Sequence, residues 1–133
     1  MNPRTAATAA GLALYLALVV GFFALHRATF GEGGGPYPIW YTVAELVFTS
    51  AKAIVPGLAV GWLCRPNCLH IGAAVGAVGG LVEVVLLGAF TGISFGQFPG
   101  RMLVATLSTA LVSAATNAVG AAAGAYLRGQ ARP

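Results

Sequence analysis

Residues 102–127, MLVATLSTALVSAATNAVGAAAGAYL, run without a charged side chain. At about 1.5 Å of rise per residue, a helix of this length crosses the roughly 30 Å hydrocarbon layer of a bilayer. Three further stretches meet the same requirement: residues 6–26, 40–63 and 70–93. Only Glu45, Lys52 and Glu83 interrupt them. A chain in lipid must satisfy its backbone hydrogen bonds internally, which leaves helices or closed barrels. Alternating strand patterning is absent, so the sequence predicts an all-α polytopic membrane protein. The expected architecture is a four-helix transmembrane bundle with short loops, forming a single integral membrane domain over residues 1–133.

Composition agrees. Of 133 residues, 58% are hydrophobic and 8% are charged, against about a quarter charged in ordinary soluble domains. With a mean hydropathy of +0.84, polar side chains are too few to cover a water-soluble surface. A soluble enzyme and a disordered tail are excluded on that ground. The net charge of +4 comes from seven scattered Lys and Arg against three Glu. That dispersal is not a phosphate-tracking patch, so no nucleic-acid partner is expected.

Aromatic and basic residues set limits and orientation. Tyr37, Trp40 and Tyr41 open the second span and Trp62 lies near its end, about 33 Å away as a helix, as interfacial belts require. Turn-forming segments separate the spans: Gly31 to Pro38, Arg65-Pro66-Asn67, and Ser94 to Gly100. Arg4, Arg65, Arg128 and Arg132 fall on one side, with Arg27 and Arg101 on the other, which places both termini in the cytoplasm. The expected location is the cell membrane, the cytoplasmic inner membrane if the protein is bacterial. Residues 1–30 read as an uncleaved helix, because the apolar stretch is longer than a usual signal-peptide core and no A-x-A-like site follows it before His26-Arg27. Neither a prenylation nor a myristoylation signal is expected, given the Arg132-Pro133 end and Asn2.

Ionisable residues deep in a span are costly and face protein or water. Counting residues from the span ends puts Lys52 and Glu83 at nearly the same depth on antiparallel neighbours, so they are expected to pair. Glu45, Thr49, Lys52 and Pro56 share one helical face by their spacing of four, three and four. Gly72, Gly76, Gly79, Gly80 and Glu83 share a face of the third helix, and Gly72-x-x-x-Gly76-x-x-x-Gly80 is a close-packing pattern. The fourth helix carries a stripe of Thr106, Thr109, Ser113, Thr116, Asn117, Gly120 and Gly124. The packing candidates are thus Gly72, Gly76, Gly80, Gly120 and Gly124. The candidates for a substrate or ion pathway are Lys52, Glu83, Glu45, Asn117 and Thr49. The first helix, with only Tyr15 and a few small residues, is expected to be the lipid-facing member. Pro56 is expected to kink the second helix.

Cys64, Cys68 and His70 put three soft ligands within seven residues, a partial metal signature. A cytoplasmic loop disfavours a disulfide there. No bound cofactor is expected. The segment Asn117-x-x-Gly120 resembles that of small fluoride channels, but their glycine–arginine and Thr-Thr-Phe-Ser segments are missing here, so no family is claimed.

No catalytic constellation is legible. The sequence points to a non-enzymatic helical bundle that acts as an oligomer or an accessory subunit, with the lipid bilayer, a second copy or a larger membrane protein as partners. The alternative is a small oligomeric transporter or channel with a polar mid-membrane site around Lys52 and Glu83. A redox or metal-dependent role for the Cys64–His70 segment is the third reading.

Overall fold

The computed structural model describes residues 2–31, 36–64, 68–92, 96 and 98–130, apart from the side chain of Gln130. Four helices account for almost all of them: α1 (Pro3–Phe30), α2 (Ile39–Leu63), α3 (Cys68–Thr91) and α4 (Pro99–Gln130). Each is long and apolar enough to cross a membrane, and among the described residues there is no strand. Arg65, Pro66, Asn67, Glu32, Ile93, Arg132 and Pro133, which entered the expectations above, lie outside the described residues.

Local chemistry fixes the helix ends. Asn2 caps α1, its Oδ1 accepting from Arg4 N at 3.0 Å, and Pro3 follows where a missing N–H costs nothing. At the other end the chain leaves α1 through Gly31, whose φ of 61° is a conformation that favours glycine, and its N–H returns to Arg27 O at 2.9 Å. Helices α1 and α4 begin and end outside the expected 6–26 and 102–127, because helical backbone continues past the apolar core into polar residues at both ends.

Packing places α4 against both α2 and α3, and α1 against the other side of α2 and α3. The backbones of α1 and α4 do not meet among the described residues. The sequence makes α2 and α3 antiparallel neighbours. They touch, but each packs more extensively on α4, because glycines line those two seams. A Cβ on Gly57 or Gly61 would run into the Asn117 or Ala121 carbonyl, and one on Gly76 into the Ser113 carbonyl. Gly72 and Gly80 close on α4, while Gly120 and Gly124 close on α2. These are backbone-to-backbone approaches of the kind small residues permit.

At the α2–α3 turn the interior is apolar, built from Ala7, Val60, Cys64, Cys68, Val75 and Ala121. The outside of the bundle is apolar as well. Leu46, Leu111 and Val119 are each about two-thirds exposed or more, an inversion of the soluble pattern.

Candidate functional site

Halfway along the bundle the four helices each place polar side chains on a common centre. Lys52 of α2 and Glu83 of α3 meet in a salt bridge, with Nζ donating to Oε1. The other carboxylate oxygen, Oε2, accepts from the phenol of Tyr15 on α1 at 2.9 Å. Ser113 Oγ of α4 lies 3.0 Å from the same phenol oxygen. A phenol has one proton, already given to Glu83, so the serine hydroxyl is the donor in that second contact.

Asn117 completes the arrangement on α4. Its Nδ2 donates to Ser113 O at 3.0 Å and to Lys52 O at 3.3 Å, and its Oδ1 accepts from Gly57 N at 2.9 Å. The Lys52 carbonyl is the one that Pro56, four residues on, leaves without a helical donor. The carboxamide thus fills the gap that proline opens in α2. Re-satisfaction by a neighbouring helix is how a proline is accommodated where no water is at hand. Orientation of the amide follows: the Gly57 N–H can only donate and the two carbonyls can only accept.

The contacts form a closed circuit, from the Lys52 ammonium through Glu83, Tyr15, Ser113 and Asn117 back to the Lys52 carbonyl. Tyr15 and Asn117 are fully buried. Lys52 and Glu83 keep 23% and 17% side-chain exposure, so the charged pair lies at the edge of the circuit. Among the described residues no buried side-chain nitrogen or oxygen lacks a hydrogen-bond partner.

Of the five pathway candidates, the structure gathers Lys52, Glu83 and Asn117. Thr49 and Glu45 are exposed and take no part in the circuit. In the α4 stripe, Thr106 and Thr116 turn their hydroxyls onto the carbonyls of Met102 and Val112 four residues back, and Ser113 and Asn117 alone join the centre among its hydroxyl and amide side chains. The expectation for α1 is corrected: it is not simply the lipid-facing member, since Tyr15 plugs into the centre with its ring over Gly79. The signal was present in Gly79-Gly80. Adjacent helical positions differ by about 100°, so the two glycines address different neighbours, α1 and α4.

Cys64, Cys68 and His70 do not converge. Both thiols are free and buried in the apolar cluster, and Cys68 Sγ points to Ala121 O at 3.6 Å. The His70 side chain is exposed. Among the described residues no group of three His, Cys, Asp or Glu is arranged to hold a metal ion.

A second feature occupies the opposite end of the bundle. A cleft of about 780 Å³ opens between the C-terminal part of α1, the first turns of α2 and the end of α3, with Phe22, His26, Tyr37, Tyr41, Glu45 and Phe90 on its walls. His26 Nδ1 and the Tyr41 hydroxyl are hydrogen-bonded at 2.6 Å. Tyr37 and Tyr41 stack at 5.4 Å, and Phe23 and Phe90 at 5.1 Å. The sequence reading placed Tyr37 and Tyr41 in an interfacial belt and missed the rings that α1 and α3 bring to them.

Comparison with protein-family models, characterised proteins and solved structures finds no match for the chain.

Proposed function

We propose that the protein is a multi-pass membrane protein of the cell membrane, with both termini cytoplasmic, whose role is that of a non-enzymatic bundle assembling with itself or with a larger membrane protein. The observation that supports this most is closure of the polar circuit. Each side chain in it bonds to at least one other helix, so the centre acts as a lock on helix register. A catalytic or transport site keeps at least one group free for its substrate; here the buried groups are mutually satisfied. The apolar outer faces support lipid or another membrane protein as the surrounding medium.

Extraction in native lipid followed by crosslinking and mass measurement tests this reading. The expected outcome is a discrete oligomer or a reproducible membrane partner. A monodisperse monomer with no crosslinked neighbour would overturn it.

The residual exposure of Lys52 and Glu83 favours one second reading, a small oligomeric transporter in which the charged pair lines a path at a subunit interface. In liposomes that reading predicts ion or solute flux abolished by Lys52→Ala and by Glu83→Gln. Flux unchanged by both substitutions would discard it.

A further inference from the structure

The aromatic cleft at the α1–α2–α3 end is independent of the polar circuit and of whether the bundle assembles. We infer that it is a binding site for an organic ammonium group: a quaternary or alkylated amine carrying an apolar body.

Three features converge on that chemistry. The first is size: about 780 Å³ lies within the range of roughly 300–1,000 Å³ for small-molecule sites. The second is the walls. Tyr37, Phe22 and Phe90 offer accessible ring surface to the cavity, with Tyr41 buried among them, and ring faces carry the negative side of an aromatic quadrupole, which attracts a weakly hydrated cation. Their placement is braced by mutual contacts, with Phe30 packing edge-on to Tyr37 at 5.1 Å and to Tyr41 at 4.8 Å. The His26–Tyr41 hydrogen bond ties α1 to α2 across the same region. The rings are therefore organised before any ligand enters, which lowers the ordering cost of binding.

The third feature is charge. Glu45 lies one turn beyond Tyr41 on α2, on the same helical face, and lines the cleft. It has no hydrogen-bond or salt-bridge partner among the described residues. Arg27, the other ion on the lining, is engaged in an interaction of its own. A carboxylate in need of a counter-ion, set among aromatic side chains, selects a cation with methyl or methylene groups over an anion or a neutral hydrocarbon. The ammonium can belong to a free amphiphilic amine or to a phospholipid headgroup, and the test separates the two.

Benzyltrimethylammonium is titrated into the full chain in uncharged detergent, in a Trp62→Phe background so that Trp40, whose ring lies 5.9 Å from Tyr41, is the fluorescent reporter. Expected is a saturable fluorescence change, weakened by about tenfold or more with Glu45→Gln and with neopentylbenzene, the uncharged isostere of the probe. Tyr37→Leu weakens it as well. Helical circular dichroism and melting checked alongside should be unchanged for Glu45→Gln, because that side chain is exposed and unpaired. Absence of saturation, or equal binding of the charged and neutral probes, overturns the inference. So does unchanged binding in a folded Glu45→Gln protein.

The source is read in nanodiscs. If a lipid headgroup is the occupant, the ratio of wild-type to Glu45→Gln affinity is smaller in phosphatidylcholine discs than in phosphatidylglycerol discs, whose surface charge attracts the probe equally for both proteins. If the occupant is a free amine, the ratio of wild-type to variant affinity is the same in both lipids.

Discussion

The two ends of this bundle are built from different side-chain sizes, and the contrast accounts for where it is closed and where it is open. From the α2–α3 turn to mid-height the seams are glycine and alanine, so the backbone of α4 touches those of α2 and α3, and the buried cluster there, which includes Val60, Cys64, Cys68, Val75 and Ala121, contains no ring. At the far end the spacers are rings. The Phe22 ring lies about 6 Å from those of Tyr41 and Phe48, and Phe22, Tyr37, Tyr41 and Phe90 wall a cleft to which α4 contributes no lining residue among the described residues. Helices of similar length and hydropathy thus give a sealed half and a recessed half, according to how closely their side chains let them approach.

The two glutamates give the largest test of that contrast. Removing Glu83 leaves the Lys52 ammonium unpaired inside the bundle, so Glu83→Leu is expected to destabilise by about 3–5 kcal/mol. Glu45→Leu, at the recessed end, should stay within about 0.5 kcal/mol. Reversible unfolding in mixed detergent measures both, and equal losses would erase the distinction. A milder effect is expected for Lys52→Met combined with Glu83→Gln than for either change that strands a charge.

Next come the glycines. Gly76→Ala drives a methyl against the Ser113 carbonyl and should cost about 1–3 kcal/mol. At Gly21 the same methyl meets Phe48 at an ordinary 3.4 Å, and the better helix propensity of alanine should stabilise by about 0.5–1 kcal/mol. Opposite signs for one substitution in two halves would sharpen the comparison; the same sign in both would break it.

Asn117→Ala tests the seam between α2 and α4. It strands the Gly57 N–H and the Lys52 carbonyl, at an expected cost of about 1–3 kcal/mol, and hydrogen exchange should rise at Gly57 in particular. Tyr15→Phe is a milder change to the same circuit. Losing the phenol's contacts to Glu83 and Ser113 while keeping the ring over Gly79 should lower stability by about 1 kcal/mol.

These features were unequally legible in the sequence. Apolar run length dictated four helices, since lipid admits few other backbones. Equal depth on adjacent spans was enough to pair Lys52 with Glu83, because rise per residue is nearly constant in helices. Tyr15 was not legible: one tyrosine in an apolar span says nothing of which neighbour it faces, and packing decides that. Pro56 and Asn117 were each visible, yet their relation depends on the offset between α2 and α4, which is set by glycines on both. The cleft required three distant segments to bring their rings together, and residues 22–23, 37–41 and 90 share no spacing that would announce it.

Asn117 repairs a break in a helix other than its own. If α4 slid along α2 by even one residue, the amide would lose both of its correspondents on that helix and leave two buried peptide groups without it. Those two rods are therefore obliged to travel together.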